Sequence, residues 1–340
     1  MAAKAGKGNV RFRPHFKTHQ SGQIGDWFRA FGVKAITVSS VEMALYFEKN
    51  GWQDITIAFP ANILEIEEIN GLAQRITLNL LVESKETVSI LNKKMNHPAA
   101  LWLKVDTGYK RTGIAYDDTA AAAAVVKEIE TSSVLRFKGI LTHSGHSYKA
   151  KSIEEIKHIY NDTVHKMNTL RQSLQAEGAA NIEISIGDTP TCSVAEHFSG
   201  IDEIRCGNFV YYDVQQLMLN VCRQENIAAF AACPIVAKHP GRNEIVIYGG
   251  AVHLSKDYAE NPEGKKIYGL VSLFDGHNRG DIERDTYVSS LSQEHGIIKT
   301  HPGFFDRAAI GDIAAILPAH ACLSANLLKQ SQIVNRAGDG

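Results

Sequence analysis

The stretch that decides the fold covers residues 100–142 and reads ALWLKVDTGYKRTGIAYDDTAAAAAVVKEIETSSVLRFKGILT. It contains two largely apolar runs, Ala100–Val105 and Phe137–Thr142, which are typical of buried strands. Between them, Thr119–Thr131 is rich in alanine and long enough to form a helix. A strand, a helix and a second strand joined by polar turns indicate a βαβ unit with parallel strands.

The same theme repeats from Val10 to about Asp213. The predicted strands are Val10–Arg13, Ala35–Ser39, Asp54–Phe59, Ile76–Val82, Ala100–Val105, Phe137–Thr142, Asn181–Ile186 and Glu203–Gly207. Further predicted helices are Ile24–Phe31, Ser40–Lys49, Ser84–Lys93 and Ser152–Glu177. Eight alternating strand–helix units predict an α/β fold of the closed (β/α)8 TIM barrel type. The alternative is a doubly wound open sheet, since alternation alone does not show closure.

The pattern changes after about Met218, where helices long enough to cover a parallel sheet are no longer predicted. Strands are expected at Ala228–Lys238, Glu244–Tyr248, Ile267–Phe274, Thr286–Ser290, Gly296–Ile298 and Asp312–Leu317. Strands separated only by turns favour an antiparallel sheet. We therefore expect two domains, a barrel over residues 1–220 and a mainly β domain over 221–340.

The composition narrows the class of partner. Lysine plus arginine number 36 and aspartate plus glutamate 37, a formal net charge of −1, which gives no global attraction for nucleic acid or an anionic membrane. No apolar run approaches the roughly 18 residues that span a bilayer, and the first residues lack the apolar stretch of a secretory signal. We expect a cytoplasmic protein that binds a small molecule. The five scattered cysteines favour neither a disulfide framework nor a tetrathiolate zinc site.

Polar residues follow the predicted barrel strands at their carboxyl ends, where barrel active sites lie. The first strand continues into Arg13-Pro14-His15-Phe16-Lys17-Thr18-His19. A lysine in an apolar barrel mouth would have a lowered pKa and would be a nucleophile toward an aldehyde. Taken alone, Lys17 has the alternative interpretation of an ordinary exposed lysine.

The fifth and sixth strands also end in polar groups. Arg111 lies in a glycine-flanked turn, and its forked, permanent charge suits a phenolate oxygen or a carboxylate. The sixth strand leads into a cluster that includes His143 and Tyr148, which a buried barrel tolerates only with a ligand or mutual hydrogen bonds. A solvated loop arginine and an internally satisfied cluster are the alternatives.

The loops after the seventh and eighth strands are rich in small residues. They contain Gly187 with Thr189, and Gly207 with Asn208. Consecutive loops at these strands commonly hold a phosphate through backbone N–H groups and hydroxyls. Each loop alone has the composition of a plain turn, but together they predict a phosphorylated cofactor.

Near the carboxyl end the chain carries His320 and Cys322, separated by one residue. In a strand, this spacing would direct both side chains to the same face. Imidazole and thiolate form a partial shell for zinc and leave positions open for water or substrate. The spacing is common by chance, so a structural pair without metal stays the alternative.

Together these segments resemble the fold-type III pyridoxal-phosphate (PLP) enzymes, and within them the D-serine dehydratase and D-threonine aldolase family. The resemblance extends over nearly the whole chain. The family's Arg-Pro-His-x-Lys-Thr-His motif matches Arg13 to His19, which gives Lys17 the role of Schiff-base lysine. Gln20 stands where many members carry a further lysine, so Lys17 is the only candidate in the motif.

More distantly the barrel is similar to that of alanine racemase, whose Lys-x-Asp-Thr-Gly-x-x-Arg segment matches Lys104 to Arg111. The similarity implies that Arg111 lies near the cofactor's O3′ and His143 against the pyridine ring. It places Arg205 at the pyridine nitrogen and Gly207 with Asn208 at the phosphate. An arginine keeps that nitrogen unprotonated and weakens the electron sink.

The His-x-Cys pair resembles the metal pair of the D-serine and D-hydroxyaspartate dehydratases, with zinc as the expected metal and manganese as the alternative. Related aldolases more often have His-x-Asp, so Cys322 favours dehydration. The chain departs from the family pattern at Cys206, where proline is usual, and at Ala319, where asparagine is frequent.

Family members also begin with a strand and most of a helix before the barrel, and this chain starts inside that helix. The missing strand joins the second domain's sheet, so an unpaired edge with exposed apolar surface is expected. The resemblance further implies a homodimer whose active site lies between one subunit's barrel and its partner's β domain.

The function that the resemblance implies is a PLP- and metal-dependent lyase acting on D-β-hydroxy amino acids. Lys17 would remove the α-proton, and the metal would make the β-hydroxyl a better leaving group, giving a keto acid and ammonia from D-serine or D-threo-3-hydroxyaspartate. The rival is a D-threonine aldolase, in which His19 or a metal-bound water acts as base. A racemase would need a tyrosine opposite the lysine and no metal, and non-catalytic PLP-binding proteins lack a second β domain.

Overall fold

The computed structural model describes residues 1–261 and 263–334. The chain divides into two compact units, the first over Met1–Phe209 and the second from Val210 onward. We describe each unit by itself. Within the described residues, no helix combines the length and apolar character needed to cross a membrane.

The first unit is built on eight parallel strands. They are β1 (Arg11–Phe12), β2 (Ile36–Val38), β3 (Asp54–Pro60), β4 (Thr77–Val82), β5 (Ala99–Asp106), β6 (Leu135–Leu141), β7 (Glu183–Ile186) and β8 (Glu203–Ile204). Each strand pairs in parallel with the next one from β2 to β8, and β8 pairs with β1. All eight predicted strands are confirmed.

The ring closes between β1 and β2 through the residues that follow β1. His15 forms a parallel bridge with Thr37. The N–H of Phe16 donates to the Thr37 carbonyl at 2.8 Å, and the N–H of Thr37 donates to the Pro14 carbonyl at 2.9 Å. The sheet is therefore a closed barrel, as predicted, and the open doubly wound alternative is wrong.

Helices connect successive strands of this barrel. After the short α1 (Ala2–Lys7), they are α2 (Gly22–Ala30), α3 (Val41–Lys49), α4 (Ile66–Arg75), α5 (Lys85–Lys94), α6 (Thr119–Glu130), α7 (Ile153–Ala176) and α8 (Thr189–Val194). Serine side chains cap the amino ends of four of them, at Ser21, Ser40, Ser84 and Ser152. These caps satisfy backbone N–H groups that have no partner inside a helix, which explains why the predicted helix starts agree closely.

The main sheet of the second unit contains six antiparallel strands, and Ala259–Glu260 pairs with Lys266–Ile267 in a separate two-stranded sheet. The strands of the main sheet are β9 (Ala231–His239), β10 (Glu244–Tyr248), β11 (Gly269–Phe274), β12 (Tyr287–Leu291), β13 (His295–Lys299) and β14 (Ile313–Pro318). The short helices of this unit are α9 (Val214–Met218), α10 (Ala251–Leu254), α11 (Pro302–Arg307) and α12 (Ala321–Leu328). The predicted antiparallel β domain is confirmed.

These six strands close into a second barrel in the order β9-β10-β13-β12-β11-β14. The closing contact joins β9 to β14, with Ala231 opposite Ile316 and Cys233 opposite Ala314. Every strand of this sheet thus has two neighbours, so the expected unpaired edge is wrong. The inward side chains, such as Ile245, Val271 and Ile298, fill the barrel and are fully buried.

Candidate active site

Lys17 lies in a turn directly after the residues that close the first barrel. Its backbone N–H donates to His15 Nδ1 at 3.4 Å. Lys17 is half-buried, and Phe16 and Thr18 on either side of it are fully buried. The fold thus fixes the backbone of Lys17 at the carboxyl end of β1, where barrel active sites lie.

Positive charges collect around this lysine. Burial lowers the pKa of His143 well below its ordinary value, and the charges of Lys17, Arg111 and Lys104 lower it further. Burial, Lys17 and Arg205 have the same effect on the pKa of His15. Both imidazoles are therefore neutral, and the predicted residues Lys17, Arg111, His143 and Arg205 are close enough to interact.

Lys104 on β5 belongs to the same cluster. Its Nζ is buried and donates to the Val105 carbonyl at 3.1 Å. Burial, followed by the charges of Arg205 and Arg111, lowers the pKa of Lys104 to about 7. Cations held this close together repel one another, so a negatively charged ligand among them would be bound favourably. The phosphate and phenolate oxygens of PLP match this requirement.

Arg205 follows β8 and is 4% exposed. Its Nε donates to Ser185 Oγ at 2.7 Å, and its Nη2 donates to the Thr142 carbonyl. Burial lowers its pKa to about 10 against the opposing charge of Glu203, so the guanidinium stays charged at neutral pH. A guanidinium only donates hydrogen bonds, and two partners hold this one in place. It could therefore donate to an unprotonated ring nitrogen.

The two predicted phosphate loops lie side by side. The N–H of Phe209 donates to Thr189 Oγ1 at 3.2 Å, which joins the loop after β8 to the loop after β7. The N–H of Thr189 lies 3.4 Å from the Tyr148 hydroxyl, to which it donates, and His143 Nδ1 hydrogen-bonds the Gly187 carbonyl. Four of the predicted cofactor-binding residues therefore form one connected group.

Gly207 has no room for a side chain. A Cβ there would lie 2.6 Å from the His15 carbonyl oxygen and 3.0 Å from Thr18 Oγ1. The glycine therefore lets the loop after β8 pack against the loop that carries Lys17. Asn208, the next residue, is 4% exposed and lies in the same loop.

Arg111 and His19 occupy contrasting environments. The Arg111 guanidinium is exposed and lies 4.9 Å from the centre of the Tyr109 ring. The His19 ring is buried and packs 4.4 Å from the Phe16 ring centre, and its Nδ1 accepts from the Ser21 N–H at 3.1 Å. Burial lowers the pKa of His19 to about 3. This surrounding favours a packing role for His19 over that of a proton-accepting base.

His15 and Lys104 were not among the predicted site residues. The available signal was position: His15 precedes Lys17 by two residues, and Lys104 lies in the segment that ends at Arg111. Sequence reasoning gave these two residues no role, because their place in the charge cluster depends on contacts between distant strands.

The proposed metal pair lies at a junction between a strand and a helix, just beyond the predicted strand Asp312–Leu317, so the alternation of side chains in a strand does not apply to it. Strand β14 ends at Pro318, His320 is the residue before α12, and Cys322 is the second residue of that helix. The two side chains nevertheless meet, because Cys322 hydrogen-bonds the His320 imidazole.

Asp213 supports this pair and was missed by sequence analysis. Its carboxylate is fully buried, and Oδ2 lies 3.2 Å from His320 Nδ1 and accepts from the Ala321 N–H at 3.0 Å. Burial disfavours the imidazolium, but Asp213 and Cys322 outweigh it and raise the pKa of His320 to about 10. A carboxylate at Nδ1 is the usual partner of a metal-binding histidine and leaves Nε2 for the metal.

The donor set therefore fits a metal with open positions. Over residues 1–261 and 263–334, no group of three His, Cys, Asp or Glu side chains is placed to hold a metal ion. The pair supplies two protein ligands, which leaves the remaining positions for water or substrate.

Comparison with known proteins agrees with this architecture. Residues 1–215 match the family model described as "Alanine racemase, N-terminal domain", so the chain belongs to that family. Residues 228–334 match a second model, described as "Putative serine dehydratase domain".

Curated relatives cover almost the full chain. It is 28% identical over 359 residues to a D-serine dehydratase of Dictyostelium discoideum, covering 98% of this chain and 89% of the relative. It is 26% identical over 322 residues to the D-threo-3-hydroxyaspartate dehydratase of Delftia sp. strain HT23, covering 92% and 84%. A solved structure of a D-threo-3-hydroxyaspartate dehydratase mutant in the metal-free form has a TM-score of 0.88 at 25% identity, covering 96% of this chain and 87% of that chain.

Proposed function

We propose that this chain is a PLP- and metal-dependent lyase that converts D-amino acids with a β-hydroxyl into a keto acid and ammonia. D-serine and D-threo-3-hydroxyaspartate are the candidate substrates, since relatives named for both dehydrations match this chain. The observation that carries the proposal is the cluster of Lys17, Lys104 and Arg205 at the carboxyl ends of the barrel strands.

The residues present fit PLP. Lys17 would hold the cofactor covalently through Nζ, with Arg205 at the pyridine nitrogen, His143 against the ring and Arg111 near the phenolate oxygen. The connected loops would bind the phosphate through Gly187, Thr189, Gly207 and Asn208, with Tyr148 supporting Thr189. When bound, PLP supplies an electron sink for the electron pair that remains at the substrate Cα.

Lys17 is the proposed proton acceptor for Cα. Lys17 lies in the turn after β1 between the fully buried Phe16 and Thr18, which places its side chain at the carboxyl end of the strand. His15 and His143 are neutral and add no further positive charge. In its uncharged form a lysine amine at this position would act as the general base.

His320 and Cys322 would hold the metal, and their imidazole and thiolate favour zinc over manganese, which prefers oxygen ligands. Bound there, the metal would supply Lewis-acid assistance for departure of the β-hydroxyl. Dialysis against a chelator should abolish turnover, and added zinc should restore it. Turnover that is indifferent to the chelator would contradict the metal part of the proposal.

A homodimer in the cytoplasm is part of the same proposal. Its support is the resemblance to family members whose active site lies between one subunit's barrel and the partner's β domain. Sedimentation analysis should give twice the mass of the chain, and a monomer would contradict the dimer.

Product analysis tests the reaction. The purified enzyme is incubated in parallel with D-serine, D-threo-3-hydroxyaspartate and D-threonine. We expect ammonia with pyruvate from D-serine or with oxaloacetate from the hydroxyaspartate. Glycine and an aldehyde from D-threonine would instead establish an aldolase.

A further inference from the structure

Inside the first barrel, a chain of buried polar groups leads to Arg205. Arg205 Nε donates to Ser185 Oγ at 2.7 Å, and Ser185 Oγ donates to Glu203 Oε1 at 2.7 Å. The other oxygen of Glu203, Oε2, accepts from Arg13 Nε at 2.8 Å. These side chains are at most 4% exposed.

The direction of each hydrogen bond in this chain is fixed. A guanidinium can only donate, and an ionised carboxylate can only accept. Burial opposes ionisation of Glu203, but Arg13 outweighs it and lowers the pKa of Glu203 below its ordinary value. The Ser185 hydroxyl therefore accepts from Arg205 and donates to Glu203, and both of its roles are used.

Glu203 also lies near a second arginine, since Arg11 Nε is 3.5 Å from its Oε2. Arg13 has a second carboxylate partner, since its Nη1 donates to Asp54 Oδ1 at 2.6 Å. Glu203 is the carboxylate that Arg205 reaches through a single hydroxyl, and its charge raises the pKa of Arg205 more than that of Asp188 does. Inside a protein the low dielectric strengthens such charge-assisted bonds and makes an unpaired buried donor costly.

We propose that Ser185 is a positioning residue that, with Glu203 behind it, holds the Arg205 guanidinium in place for the pyridine nitrogen of the cofactor. The inference rests on the proposed function, because it takes Arg205 as the group that faces that nitrogen. With Nε held by Ser185 and Nη2 by the Thr142 carbonyl, the guanidinium plane is fixed at two points. Loss of the hydroxyl removes one of these points and leaves a buried N–H unpaired.

The test measures cofactor binding and the absorbance of the bound cofactor, independently of turnover. PLP is removed from the enzyme and titrated back into the wild type and into Ser185→Ala. We expect Ser185→Ala to bind PLP about tenfold more weakly, the size of change expected for one lost charge-assisted hydrogen bond. Its visible absorbance band should also shift, because the environment of the pyridine nitrogen changes.

Two variants control the experiment. Ser185→Thr keeps the hydroxyl and should restore affinity and spectrum toward wild type. Thr56→Val removes a different buried hydroxyl of the same barrel, one that has no hydrogen-bond partner among the described residues, and should leave both unchanged. If Ser185→Ala does not fold, Ser185→Cys replaces it, since a thiol is close in size and accepts only weakly.

The outcomes separate the two proposals. Wild-type affinity and spectrum in Ser185→Ala would overturn the positioning role and leave the proposed function intact. Equal losses in Ser185→Ala and Thr56→Val would also overturn it, because they would reflect general loosening of the barrel. A wild-type protein that binds no PLP would overturn both proposals.

Discussion

At the scale of single residues, Asp213 has the clearest consequence for the metal pair. It lies 3.2 Å from His320 Nδ1 and also accepts from the backbone N–H of Ala321. Asp213→Asn preserves the shape but removes the negative charge that orients the imidazole. We expect metal affinity to fall about 10- to 100-fold, the usual effect of removing a carboxylate behind a ligand histidine. The loss of affinity is measured as the metal content that remains after dialysis against graded chelator concentrations.

Asp312→Asn is the matched control for this change. Its Oδ2 also accepts from a backbone N–H, that of Ala309 at 2.8 Å. We expect this variant to retain metal as the wild type does. Equal retention by Asp213→Asn would contradict the orienting role.

The buried His19 should make the stability of the fold sensitive to acid. Its folded pKa of about 3 lies below the ordinary value of 6.5, so the stability that it contributes is present above pH 6.5 and is lost as the pH falls. Between pH 6.5 and about pH 3, protonation of His19 should lower the free energy of unfolding by about 1.4 kcal/mol for each pH unit. His19→Phe suits the surrounding aromatic cluster and removes the titrating group.

Urea unfolding at pH 7, 6 and 5 measures this effect for the wild type and His19→Phe. We expect the free energy of unfolding to fall more steeply with acid in the wild type. Parallel pH dependences in the two proteins would show that His19 is not held neutral by burial.

At the scale of elements, the loop after β8 depends on Gly207. A Cβ there would lie 2.6 Å from the backbone oxygen of His15, so Gly207→Ala forces apart the loops that carry Lys17 and Asn208. We expect PLP affinity to fall at least about tenfold, because the phosphate donors and the lysine no longer keep their spacing. Gly241→Ala, at a position with nothing within 4 Å, should bind PLP normally. Normal binding by Gly207→Ala would contradict the proposed phosphate loop.

Most helices and strands could be predicted from the sequence, because their signals are local. Apolar runs such as Ala100–Val105 define strands, and serines such as Ser40 and Ser84 define helix starts. The His320–Cys322 segment could not, because its helix start is fixed by Asp213, which lies 108 positions before Ala321. The pattern His-x-Cys covers three residues, which is too short for its periodicity to distinguish a strand from the start of a helix.

At the scale of the whole molecule, closure of the first barrel could be predicted from its eight repeated units, whereas closure of the second was beyond local reasoning. The bridge between His15 and Thr37 and the pairing of β9 with β14 join segments that are distant in the sequence. The same holds for the charge cluster. Arg111 and His143 were found from their places after predicted strands and Arg205 through the family resemblance, whereas His15 and Lys104 become visible only when the strands are assembled.

The central claim is that Lys17 carries the cofactor, and the rival amine is Lys104, whose pKa is lowered to about 7. Borohydride reduction of the PLP-bound enzyme fixes the cofactor to its lysine, and peptide mass spectrometry then identifies the site. We predict the pyridoxyl label on Lys17 and its loss in Lys17→Ala. A label on Lys104, or on no lysine, would contradict the account.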